Sequence, residues 1–135
     1  MLFIIFKRLE LTKKIFQEIK KAKPKKFYIA CDGAKNEEDI DKVKAVREYI
    51  MNNIDWPCDL KTRFREENLG VGFGPADAIT WFFENEEMGI IFEDDCLLGQ
   101  SFFGSARSCW RGIRTKKIFM ITGTSYLFNK NYLSR

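Results

Sequence analysis

The sequence predicts an α/β chain: a three-layer α/β/α domain on a mostly parallel, Rossmann-like sheet. Three observations predict it. Short apolar runs alternate with longer stretches of helical spacing, and a β-α-β-α-β-α-β order requires parallel pairing through right-handed crossovers. The clearest of the runs are continuously apolar, as strands covered on both faces are. Polar clusters follow three of the runs directly, at the carboxyl ends where ligands of open α/β sheets sit.

Each element has its own reason. Residues 2–6, Leu-Phe-Ile-Ile-Phe, are a strand-forming run. Leu11, Ile15, Phe16, Ile19 and Ala22 follow at helical spacing, so a helix spans roughly 10–22 and Pro24 stops it. Residues 27–31 form a second strand that ends at the turn signal Asp32-Gly33. Asn36 or Asp39 caps the next helix, whose inner stripe reads Ile40, Val43, Val46, Arg47 and Ile50. After Trp56-Pro57, residues 60–65 read as a third strand of less clean alternation. The glycine-rich stretch 68–75 reads as a loop leading into a helix with Ala76, Ile79, Phe82 and Phe83. Residues 89–92 are a fourth strand running into Glu93-Asp94-Asp95, and 118–121 a fifth.

At 135 residues the chain is expected to be a single domain, 1–135. Its 45% hydrophobic content and thirteen phenylalanines exclude disorder. The net charge of +4 is modest, but its distribution is uneven. Residues 1–30 carry +7, residues 31–100 carry −10, and residues 101–135 carry +7 with no acid at all. The opening apolar run is too short for a membrane helix and its basic residues follow it, the reverse of a signal peptide. A cytoplasmic protein is expected, with a membrane-peripheral position as the variant. There is no histidine, and Cys31, Cys58, Cys96 and Cys109 have no CxxC spacing. Structural zinc, Ser-His-Asp and Cys-His catalysis are therefore poor fits.

The candidate chemistry lies at strand ends. Glu93, Asp94 and Asp95 repel one another, and a hard cation such as Mn²⁺ or Mg²⁺ is one way to neutralise them; the bland alternative is a solvated acidic turn. If the backbone stays extended, Glu93 and Asp95 share one side and Asp94 takes the other. Asp32 could accept from a ribose or base, or could serve as an Asx-turn or helix cap. Gly70, Gly72 and Gly74 leave amides at a helix start, suited to an anion, but the Walker lysine is absent. Arg63 and Arg65 either reach a diphosphate or line a solvated strand. The lysines at 20, 21, 23, 25 and 26 suit a helix end, and no nucleic-acid motif accompanies them, so no nucleic-acid partner is expected.

Taken together, these strings resemble a known family. The opening strand with Lys7-Arg8, residues 28–33 (Tyr-Ile-Ala-Cys-Asp-Gly), residues 65–70 (Arg-Glu-Glu-Asn-Leu-Gly), residues 81–86 (Trp-Phe-Phe-Glu-Asn-Glu) and residues 90–96 resemble the nucleotide-diphospho-sugar transferases of the GT-A fold. The likeness is to family 2-like and N-acetylglucosaminyltransferase I-type enzymes, and it returns at residues 119–126. It implies a metal-dependent glycosyltransferase that takes a nucleoside-diphosphate sugar, UDP-linked, to a glycan, lipid or protein acceptor. Glu93-Asp94-Asp95 then corresponds to the acidic DXD motif, with Asp95 as direct metal ligand and Glu93 and Asp94 near the metal-bound water and the ribose. Asp32 and Gly33 stand where the family reads the nucleotide, Arg8 at a nucleotide-contacting position, and Arg65, Asn68 and Gly70 where the pocket closes.

Two departures qualify the expectation. Residues 104–117 form an atypical basic connection instead of the acidic helix such enzymes carry. The chain also ends where the family's acceptor half would begin, so it is expected to be the N-terminal part only, with no catalytic base identified. The rivals are a nucleotide-binding module or degenerate transferase without turnover, a metal-dependent nucleotidyltransferase, a response-regulator-like domain, and an α/β domain of other role. A homo-oligomer would cover an open sheet edge.

Overall fold

A computed structural model of the chain describes residues 1–96. The elements run β1 (Leu2–Ile5), α1 (Leu9–Ala22), β2 (Lys26–Cys31), α2 (Glu37–Asn53), β3 (Asp59–Phe64), α3 (Gly70–Asn85) and β4 (Ile91–Glu93). The four strands form one sheet in the order β3-β2-β1-β4, and all three pairings are parallel. This is the expected three-layer, Rossmann-like architecture. The fifth strand at 118–121 and the connection at 104–117 lie outside the described residues.

Strand alternation sorts the core into two layers. Leu2 of β1 and Tyr28 and Ala30 of β2 pack with Ala78 and Phe82 of α3, joined by Ile4, Ile79, Trp81 and Ile91. On the other face Phe27 of β2 meets Phe16 of α1 and Trp56, with ring centroids 6.5 and 5.7 Å apart, and Tyr49 of α2 closes on Phe16 at 6.0 Å. The helix α1 presents Thr12, Ile15, Phe16 and Ile19 to that layer at the spacing of one helical face. It ends at Lys23, whose left-handed φ of 43° turns the chain into Pro24.

Two sequence expectations are corrected. Ile40 is 53% exposed and does not belong to the inner stripe of α2. That stripe is Asp39, Val43, Val46 and Ile50; buried Asp39 takes the inward place because Lys7 Nζ reaches both its oxygens at 2.9 and 2.8 Å. Asn36, not Asp39, is the cap, its Oδ1 accepting from the Asp39 amide at 3.1 Å. The second correction is the start of α3. The helix begins at Gly70, so Gly72, Gly74 and Pro75 lie inside it and not in a loop before it. The reason is found at the end of β2, described below.

Candidate functional site

The strand order fixes where a site belongs. From β1 the chain passes to β2 and on to β3 in one direction, then returns through α3 to place β4 on the far side of β1. The helices after β1 and β2 lie on one face of the sheet and α3 lies on the other. This reversal is the topological switch point at which doubly wound sheets bind ligands.

At that point β4 stops at Glu93 and the chain turns: the Cys96 amide donates to the Glu93 carbonyl at 3.2 Å. The extended geometry that would have put Glu93 and Asp95 on one side therefore does not persist. Asp94 folds inward, its side chain 3% exposed, and accepts from the Phe6 amide at 3.3 Å and from the Arg8 guanidinium. Asp95 remains half exposed at 49%, and the same Arg8 nitrogen donates to its Oδ2 at 3.1 Å. Arg8 thus bridges the two carboxylates from the turn after β1, and its hydrogen bond to Asp94 raises its pKa further. Glu93 is exposed at the rim.

The end of β2 is built differently. Asp32 Oδ1 accepts from the amides of Gly33 and Leu69, and Oδ2 from those of Leu69 and Gly70, all at 3.0 Å. Asp32 is therefore the anion on the amino end of α3, satisfying amides that a helix start leaves open. That cap lets a glycine-rich stretch of poor helix propensity begin a helix. Gly33 is required by close approach: a Cβ there would lie 2.3 Å from the Glu66 carbonyl oxygen. Asn68 donates from Nδ2 to the Gly33 carbonyl at 2.7 Å, pinning the loop after β3 over the end of β2.

Two further groups hold this half together. Arg47 of α2 donates from Nη2 to the carbonyls of Cys31 (3.4 Å), Asp32 (3.1 Å) and Arg65 (2.5 Å), while its buried Nε finds no acceptor among the described residues. Asp77 of α3 accepts from Arg63 at 2.9 and 2.8 Å and from Arg65 Nε at 2.8 Å. Burial disfavours the charged Asp77, but the hydrogen bonds from Arg65 and Arg63 outweigh it and its pKa is lowered. Burial pushes the Cys31 thiol up, leaving it a poor nucleophile.

The predicted residues therefore divide. Arg8, Asp94 and Asp95 come together at the switch point with Glu93 beside them. Asp32, Gly33, Asn68, Gly70 and Arg65 come together one strand away, mostly satisfied by one another. Sequence reasoning gave Asp39 only as an alternative helix cap, Arg47 only as part of an inner stripe and Lys7 only beside Arg8, and it assigned Asp77 no role. The one readable signal was Arg47, a guanidinium at an apolar stripe position.

Whether a divalent cation fits can be judged from the donor set. Among the described residues no group of three or more histidine, cysteine, aspartate or glutamate side chains is arranged to hold one. Mg²⁺ and Mn²⁺ commonly need only one or two carboxylates when substrate phosphates complete the shell, and the half-exposed Asp95 offers that much. Comparison with protein-family models, curated proteins and solved structures found no match to this chain. No helix among the described residues is long and apolar enough to cross a membrane.

Proposed function

We propose that this chain carries the donor-binding site of a GT-A-like glycosyltransferase. It would bind a nucleoside-diphosphate sugar, UDP-linked, for transfer to a glycan, lipid or protein acceptor. The observation that carries the reading is the junction of Arg8, Asp94 and Asp95 at the β1–β4 switch point of a β3-β2-β1-β4 parallel sheet.

The chain's own residues divide the work. Arg8 offers a guanidinium with a planar array of donors, matched to phosphate oxygens. Asp94, buried and bonded to the Phe6 amide, orients it. Asp32 and Asn68 set the position of the 65–70 loop at the border of the nucleotide pocket, and Gly33 allows that loop its close approach. Mn²⁺ or Mg²⁺ held by Asp95, with Glu93 at the rim, would supply Lewis-acid neutralisation of the diphosphate as the anomeric bond breaks.

The test is calorimetric titration of UDP into the full chain with Mn²⁺, repeated with EDTA and with Asp95→Ala. The expected result is metal-dependent binding that Asp95→Ala abolishes. UDP release from UDP-sugars then separates a transferase from a binding module without turnover. Absence of UDP binding by the folded protein would overturn the reading.

A further inference from the structure

The turn after β1 carries two adjacent cations, Lys7 and Arg8, and the fold holds them on opposite sides of the strand's carboxyl end. Lys7 reaches toward the β2 side, where its Nζ donates to both oxygens of Asp39 in the first turn of α2, at 2.9 and 2.8 Å. Arg8 reaches toward β4, where its Nη2 donates to Asp94 and Asp95. Each cation is anchored by a carboxylate whose side chain is only 3% exposed, while Lys7 stays 37% and Arg8 46% exposed. The buried acids thus order in advance two long side chains whose immobilisation would otherwise oppose binding. Neither cation is exhausted. An ammonium has three donors and Asp39 takes two; a guanidinium has five, and among the described residues Arg8 uses only those of Nη2. Asp39 also has a second cation in Lys42, 3.8 Å away, so a ligand that shares Lys7 does not strand the buried charge.

Resting on the nucleotide-diphosphate reading above, we infer that Lys7 is a second phosphate-binding residue, paired with Arg8 across the end of β1, one cation for each phosphate of the donor. Lys7 thereby sets a preference for a nucleoside diphosphate over a monophosphate. A single phosphate is met by one of the two cations; a diphosphate is met by both.

The test is calorimetric titration of UDP and of UMP into the full chain, with Mn²⁺ present throughout, for the unaltered protein, Lys7→Gln and Lys42→Gln. Lys7→Gln is expected to weaken UDP binding about tenfold, the scale of one charge-assisted hydrogen bond, and UMP binding by less than about twofold. The ratio of the two affinities therefore falls, which a general loss of fold would not produce. Lys42→Gln makes the same charge change beside the same aspartate and is expected to leave the ratio as it was. An unmoved ratio in folded Lys7→Gln, or an equal fall in Lys42→Gln, would overturn the inference. Because Lys7→Gln removes a partner from buried Asp39, the measurement is repeated on Lys7→Gln combined with Asp39→Asn, which carries no buried charge. The ratio is expected to fall there as well, and its return to the unaltered value would overturn the inference. UDP binding with an unmoved ratio defeats this inference alone, whereas no UDP binding by the unaltered chain defeats the reading beneath it.

Discussion

The ends of β2 and β4 both carry aspartates directly after the strand, and the fold uses Asp32 and Asp95 in opposite ways. Asp32, after β2, accepts four amide contacts and holds α3 to the sheet. The acids after β4 meet one arginine, and the second of them stays half exposed. The difference comes from topology. β2 lies between two strands whose connections continue in one direction, so the loop after β3 folds over its end. β1 and β4 flank the reversal, with α1 packed on one face of the sheet and α3 on the other. A carboxylate after a strand becomes a fold-holding group where backbone amides converge on it, as at Asp32, and keeps an open oxygen where only one exposed guanidinium meets it, as at Asp95.

The comparison can be broken most forcefully at Gly33. A Cβ there would meet Glu66 and Glu67 backbone at 2.3 and 2.5 Å, and backbone cannot move aside as a side-chain tip can. Gly33→Ala is expected to cost about 3 kcal/mol of stability in urea unfolding; a loss under about 0.5 kcal/mol would show that the loop is not clamped at β2. Next in size, Asp32→Ala should cost about 1–2 kcal/mol, the worth of a helix cap, and Asp32→Asn should recover part of it.

Acid titration sharpens the same contrast. The Asp77 carboxylate has its folded pKa held below the ordinary value by Arg65 and Arg63 against the opposing effect of burial. A carboxylate lowered in this way contributes its full stabilisation above its unfolded pKa and loses it as pH falls through the folded one. Stability should therefore decline as pH falls below about 4, and less steeply in Asp77→Asn; identical acid limbs for the two proteins would contradict the assignment. Smallest in stability is Asp95→Asn. Its ion pair with Arg8 is solvent-facing, so the thermal unfolding curve should change by less than about 0.5 kcal/mol.

Much of the fold was legible because the physics was local. The runs 2–6 and 27–31 are apolar enough to be buried strands wherever they occur, and Leu11, Ile15, Phe16 and Ile19 can face a core only as a helix. The start of α3 was not legible, because Gly70, Gly72, Gly74 and Pro75 carry every local signal for a loop. Their helical state depends on Asp32, almost 40 residues earlier in the chain, which supplies the acceptors their amides lack. Pro75 cannot donate to the Val71 carbonyl, but Val71 is 95% exposed and water can serve it. Ile40 failed for a similar reason: an inward ion pair between Lys7 and Asp39 outcompeted an apolar side chain for the buried place, and nothing near residue 40 records Lys7. Of the candidate site, the acids and Arg8 could be named from sequence, but not that a turn at 93–96 would separate Asp94 from Asp95.

The central claim is that the carboxyl ends of β1 and β4, and not the end of β2 alone, are where a nucleotide diphosphate sits. The most direct measurement is a chemical-shift map of the backbone amides of the full chain, ¹⁵N-labelled, on addition of UDP with Mg²⁺. The account predicts that the largest shifts fall on residues 6–8 and 93–96, with smaller ones at 32–33 and 66–70. Shifts confined to the amino ends of the strands, around residues 26 and 86, or the absence of shifts at 6–8 and 93–96 while others move, would contradict it.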